Sequence, residues 1–270
     1  MPKFAREKVE ASPNAIALSD PSSSYSWLEV NGILNRCANH ILESDLGKKR
    51  RIAVFAENAS EIAFAHLGAL LGGASSVPVN FHLTAEEAAY ILEDSEAQIL
   101  FVGPETVERG LFAAQQAGID MVIGWKCEEN TDLLDWHQWL STGNPEDPPD
   151  AVKPLPNLLY TSGTTGKPKG TELPPTMFAG GNSMSEHIEG LKLSAFAEFG
   201  THLVVGPMYH TGPLSGMRLL TLGIPSVILG RFDAEATLAA IDRHKTETAV
   251  MVPTHFVRLL GLPDEVKQKY

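Results

Sequence analysis

Between Arg51 and Val102 the chain alternates short apolar runs with longer stretches whose apolar residues recur at helical spacing, and this alternation restricts the fold more than any other feature. Arg51–Ala56 predicts a buried strand, Ser60–Leu71 a helix, and Val77–Val79 the next strand. Thr84 followed three residues later by Glu87 forms a capping-box pattern that opens a helix over Ala85–Asp94, and Gln98–Val102 is again strand-like. Met121–Ile123 continues the series. Strands covered on both faces need no polar side, and each helix carries the chain back so that the next strand can run parallel to the last. The expected class is therefore α/β, with layered parallel sheets covered by helices.

Between Ser141 and Asn157 stand five prolines (Pro145, Pro148, Pro149, Pro154, Pro156), with Gly143, Asn144, Asp147 and Asp150. Such a stretch sustains neither a helix interior nor a central strand. It divides the chain into a first α/β region (1–140), a connector (141–157) and a second α/β region (158–270). In the second region we expect a helix around Met177–Ile188, a strand His202–Val205, a further unit Gly223–Leu229, a helix Ala234–His244 and a strand Ala249–Val252.

With 43% hydrophobic residues the chain can bury a substantial core. Its formal charge of −12 provides no broad basic surface to follow a nucleic-acid backbone, so DNA and RNA are poor partners. Cys37 and Cys127 lack the paired spacing of zinc sites or disulfide frameworks, which fits a reducing, cytoplasmic compartment. Met1–Glu10 lacks the layout of a secretory signal. The 20 residues Ile62–Phe81 carry no formal charge, close to a bilayer-crossing length, yet Gly72, Gly73, Pro78 and Asn80 favour a helix, a turn and a short strand over a transmembrane segment.

The densest chemistry lies at Tyr160–Gly170. After the apolar strand end Leu158–Tyr160, the run Thr161, Ser162, Gly163, Thr164, Thr165 and Gly166 supplies hydroxyls, amides and two residues tolerant of positive φ, which suits an anion cradle. Lys167 and Lys169 add cations to the same rim, and Gly170 follows. A solvated turn is the ordinary reading of an isolated Gly/Ser/Thr cluster; the preceding strand and the two lysines argue for polyphosphate. The Walker pattern is excluded, because Thr161 occupies its first glycine position and Pro168 its Ser/Thr position.

Tyr160–Gly170, Y-T-S-G-T-T-G-K-P-K-G, resembles the signature loop of adenylate-forming enzymes: acyl-CoA synthetases, luciferases and peptide-synthetase adenylation domains. Gly68–Val102 is similar to the region preceding that loop in acyl-CoA synthetases, and Pro207–Pro213 (P-M-Y-H-T-G-P) resembles their next motif, an aromatic-His segment lining the acyl pocket. A departure follows Gly170, where Thr171 and Leu173-Pro174-Pro175-Thr176 replace the family's hydrophobic residue and Thr-His pair.

The resemblance implies the large N-terminal AMP-binding domain, present in part, and ATP-dependent activation of a fatty or other hydrophobic carboxylic acid, followed by thioester formation with coenzyme A. ATP, Mg²⁺ and coenzyme A are the implied cofactors. Thr161, Ser162, Gly163, Thr164, Thr165, Gly166, Lys167, Lys169 and Gly170 would hold the nucleotide, with Thr161 as the implied Mg²⁺ ligand. His210 would stand beside the acyl carboxylate and α-phosphate in a steric and hydrogen-bonding role. Tyr209, His210, Thr211 and Gly212 would form the substrate pocket. Tyr209, Met208 and Met217 equally suit pocket wall or plain core, and His66, His82 and His255 show no metal-ligand spacing. The family's Tyr-Gly-x-Thr-Glu segment, ribose-binding aspartate and C-terminal lysine domain have no counterpart before Tyr270, so the chain reads as truncated, and as poorly active or inactive alone. The alternatives are a non-catalytic nucleotide-binding or interaction domain and, further off, a kinase-like phosphoryl transferase.

Overall fold

The apolar runs of the first half assemble into one parallel sheet. A computed structural model describes residues 3–127, 130–161, 167–173 and 180–270. The strands of the first half are β1 (Ile16–Ser19), β2 (Ser24–Ser26), β3 (Arg51–Phe55), β4 (Ser75–Val79), β5 (Ile99–Val102), β6 (Met121–Gly124) and β7 (Leu134–Asp135). The sheet order is β4-β3-β5-β6-β7, all parallel. Successive residues point to opposite faces. Ile52, Val54, Ile99, Phe101 and Ile123 pack with the helices Trp27–Glu43 and Ser60–Leu71, whereas Ala53, Phe55, Leu100, Val102 and Val122 meet Ala85–Ser95 and Val107–Ala117. Pro78, which has no N–H to donate, sits in the edge strand β4, where that loss is tolerated.

The expected capping box is present: Glu87 N–H donates to Thr84 Oγ1 at 3.3 Å and Thr84 N–H to Glu87 Oε2 at 2.9 Å. A second box, Ser26 with Glu29, opens the helix Trp27–Glu43.

The second half contributes β8 (Leu158–Thr161), β9 (Lys169–Glu172), β10 (His202–Val204), β11 (Ser226–Ile228) and β12 (Thr248–Ala249). β8 and β9 form an antiparallel hairpin, and the remaining strands form the sheet β12-β10-β11-β1-β2. β1, from the start of the chain, pairs with β11 (Leu18 opposite Ser226), so this sheet draws strands from both sides of 141–157. That segment lies pinned along the helix Trp27–Glu43: Asn35 Nδ2 donates to Pro145 O at 2.8 Å, and Asn39 Nδ2 to Asn144 O and Glu146 O at 3.0 and 2.8 Å.

The helix Ser60–Leu71 is buried on every side. Its apolar cluster reaches Ile52 and Val54 of the first sheet and Val204 and Ile228 of the second. Enclosure between two sheets accounts for the uncharged run from Ile62, and among the described residues no helix is long and apolar enough to cross a membrane. Two of its polar groups find partners outside the helix, whereas Ser60 Oγ and Glu61 Oε2 are buried without a hydrogen bond among the described residues. Asp20 Oδ2 accepts from Ser60 N–H at 2.9 Å, and His66 Nδ1 lies 2.7 Å from Ser76 Oγ.

Two expected elements shift. The helix predicted around Met177–Ile188 runs over Met184–Lys192, because Gly181 adopts φ +98° and Ser183 caps the helix by accepting from Glu186 N–H at 3.2 Å. Met177–Ala179 lie outside the described residues. The strand predicted at Ala249–Val252 is found at Thr248–Ala249, since Val252 already occupies the position before the helix Pro253–Leu260, whose first residue is a proline.

Candidate functional site

The β8–β9 hairpin carries both flanks of the glycine/threonine/lysine loop. Thr161 stands opposite Lys169 and Tyr160 opposite Gly170, and Thr161, Lys167, Lys169 and Gly170 are exposed along its rim. Ser162, Gly163, Thr164, Thr165 and Gly166 lie outside the described residues. Gly170 permits the close pairing, because a Cβ there would stand 3.2 Å from both Leu158 Cδ1 and Tyr160 Cζ.

The hairpin is anchored to the first sheet at several points. Arg51, buried at the start of β3, donates to Glu172 Oε1 at 2.6 Å and to Ser95 O at 2.9 Å. Ser75 Oγ donates to Pro156 O at 2.6 Å and Ser76 Oγ to Asn157 Oδ1 at 3.0 Å, fixing the approach to β8 against the β4 edge. Tyr160 Oη donates to Asp94 Oδ2 at 2.6 Å; burial, reinforced by that carboxylate, pushes the phenol above its ordinary range and keeps it a donor. The Lys167 ammonium sits 4.5 Å over the Tyr90 ring, and Tyr90 Oη donates to Pro168 O at 3.3 Å. Tyr90 is a contact that the sequence pattern alone did not single out.

The second group follows β10. Tyr209 meets Phe81 edge-on at 5.5 Å, and His210 lies against Tyr209 at 4.4 Å. His210 is exposed at the N-terminus of the helix Thr211–Gly216, and partial desolvation lowers its pKa, which favours the uncharged ring. The turn before it is set from β3: Asn58 Nδ2 donates to Gly206 O and Leu229 O at 2.9 and 3.1 Å, and Asn58 Oδ1 accepts from Met208 N–H at 2.8 Å. No motif flagged Asn58; a single asparagine after a strand is an ordinary turn residue.

Thr211 and Gly212 line a cavity of about 540 Å³ that extends along their helix past Ser215 and Gly216 to His202 and Leu219. A Cβ on Gly216 would lie 2.2 Å from His202 Nε2, so this glycine lets the helix rest on β10. Of the remaining candidates, Met208 and Met217 are buried in the core, while His82 borders a smaller cleft of about 210 Å³ with Asn58, Phe81 and Arg231.

The expected residues thus fall into two groups, Thr161, Lys167, Lys169 and Gly170 on the hairpin and Tyr209, His210, Thr211 and Gly212 after β10. Tyr160 and Tyr209 pack against one shared apolar cluster. Among the described residues no group of three or more His, Cys, Asp or Glu side chains is placed to hold a metal ion.

A profile of the family described as AMP-binding enzyme matches residues 5–270. The indoleacetate–CoA ligase of Aromatoleum aromaticum is 31% identical over 271 residues, covering 93% of this chain and 49% of that protein. A feruloyl-CoA synthase of an Amycolatopsis species is 27% identical over 258 residues, covering 95% of this chain and 49% of that protein. The N-terminal domain of FACL13 from Mycobacterium tuberculosis, 23% identical, shares the fold with a TM-score of 0.75 over 97% of this chain and 65% of that one. The chain spans about half the length of the curated relatives it matches.

Proposed function

This chain belongs to the AMP-binding enzyme family, the adenylate-forming enzymes, and from that premise we propose that the protein carrying it activates a hydrophobic carboxylic acid with ATP and passes the acyl group to coenzyme A. A carboxylate is a poor acyl donor because its leaving group would be oxide. Its oxygen attacks the α-phosphorus of ATP, the bond to the β-phosphate oxygen breaks, and pyrophosphate leaves. The thiolate sulfur then attacks the acyl carbon of the mixed anhydride and AMP departs.

The observation that carries this reading is the sequence Tyr160–Gly170, whose described ends belong to an anchored hairpin that leaves Thr161, Lys167 and Lys169 exposed. In this reading its amides, hydroxyls and ammonium groups receive the charge that develops on the departing pyrophosphate. The Thr161 hydroxyl suits a hard divalent cation, and Mg²⁺, held otherwise by phosphate oxygens and water, would neutralise part of that charge. In this reading His210 stands beside the reacting carboxylate and orients it by hydrogen bonding.

The cavity bordered by Thr211 and Gly212, with walls that include Leu191, Leu219, Leu222 and Val250, suits an apolar acyl group. Two relatives named for indoleacetate and feruloyl groups support a ring-containing acid. A screen of carboxylic acids for ATP–pyrophosphate exchange in the complete protein tests the proposal. Exchange with at least one hydrophobic acid, with AMP as the nucleotide product, is expected. Nucleotide binding without exchange, or ADP as the product, overturns it.

A further inference from the structure

We propose that Asn58 is a positioning residue for the adenylation step, holding the Met208–His210 turn so that the His210 ring faces the acid; this rests on the role given to His210 above. The strands β3, β5, β10 and β11 lead into segments that side chains tie together here. Asn58, just beyond β3, ties its own loop to two others: its amide donates to Gly206 O after β10 and Leu229 O after β11, and its oxygen accepts from Met208 N–H, also after β10. Glu57, beside it, is held from two further sides, its N–H donating to the Glu105 carboxylate beyond β5 and its own carboxylate pairing with Arg231 beyond β11.

The amide of Asn58 is chemically matched to these partners. Two acceptors require two N–H donors, and the Met208 N–H requires an acceptor; one asparagine supplies both with no titratable group. Aspartate has the same shape but would set a carboxylate oxygen against two carbonyl oxygens. Alanine would leave all three backbone groups without this partner. His210 follows Met208 by two residues and has no side-chain capping bond in its own helix, so its placement depends on this turn and on the Tyr209 ring. An error of about 1 Å in the placement of a reacting group can cost about a hundredfold in rate, so a turn released by a few tenths of that has a measurable effect.

The test compares Asn58→Ala, Asn58→Asp, His210→Ala and the Asn58→Ala/His210→Ala double variant in the complete protein. It uses ATP–pyrophosphate exchange and NMR of ¹³C-labelled histidine. The expected result is a fall in exchange kcat of about 10- to 100-fold for Asn58→Ala with KM for ATP within threefold, and no further loss when Asn58→Ala is added to His210→Ala. The His210 ring resonance moves away from the shift that the Tyr209 ring imposes. An unmoved His210 resonance in a folded Asn58→Ala protein, or losses that add in the double variant, overturns the proposal. Wild-type exchange in His210→Ala alone defeats the role of His210 instead, and the NMR comparison still decides whether Asn58 places the ring. If Asn58→Ala does not fold, Asn58→Ser, whose hydroxyl cannot reach all three partners, carries the same readouts.

Discussion

Acidification should destabilise this fold through two interior histidines well before its carboxylates are neutralised. His66 is enclosed in the helix between the sheets, and burial, with the Arg218 charge as a second cause, lowers its pKa from 6.5 to about 3. His202, under Gly216, is lowered by burial from 6.5 to about 4. The unfolded chain takes up these protons as the pH falls through 6.5, while the native chain refuses them until the depressed values are reached. Unfolding is therefore accompanied by proton uptake, and stability falls with falling pH over that window. From pH 7 to pH 5 each histidine costs about 2 kcal/mol, or about 4 kcal/mol together, a large share of a typical 5–15 kcal/mol. The carboxyls of Glu61 and Glu105, raised by burial, act in the opposite sense, so a difference measurement is needed. His66→Asn keeps a polar atom within reach of Ser76 and removes the titrating ring. Urea unfolding of both proteins at pH 7, 6 and 5 should show the wild type losing about 2 kcal/mol more than the variant over this range. Equal losses would refute the linkage assigned to His66.

Three further outcomes follow from the site. Lys169→Ala removes a cation from the hairpin rim and should raise the Kd for ATP about tenfold, some 1.4 kcal/mol, with the melting temperature unchanged; calorimetry giving the wild-type affinity would remove Lys169 from the nucleotide site. Tyr160→Phe deletes the bond to Asp94 and, given the partial exposure of that pair, should cost about 1 kcal/mol in chemical denaturation. Gly216→Ala places a Cβ against the His202 ring and should destabilise by about 1–3 kcal/mol through overpacking; unaltered stability would show that the ring has room to retreat.

The sequence was most readable where burial and local chemistry act together. The strand Arg51–Phe55, the helix Ser60–Leu71 and the Thr84–Glu87 cap are visible because a covered parallel strand is apolar throughout and a cap needs only residues three apart. The helix Ala234–His244 is legible for the same reason, with Asp233 accepting from Ala236 N–H at 2.8 Å. β9 was not legible: Lys-Gly-Thr-Glu is wholly exposed and lacks strand composition, and it extends because β8 pairs with it. The chemistry of Tyr160–Gly170 and Pro207–Pro213 could be read from their residues and their resemblance. The Asn58 contacts could not, because its three partners lie about 150 to 170 residues away and leave no periodic trace.

The pairing of β1 with β11 has a consequence for synthesis. Leu18 meets Ser226 across roughly 200 residues of chain, and at about 5–20 residues per second a ribosome takes about 10–40 s to supply the partner. During that interval Ile16–Ser19 has no parallel neighbour, while the alternating units from Arg51 to Gly124 can already collapse on one another. The second sheet is thus closed late in synthesis by a strand made at the beginning, and a pause before Ser226 would leave that strand open to wrong partners at the moment when the two sheets are brought together.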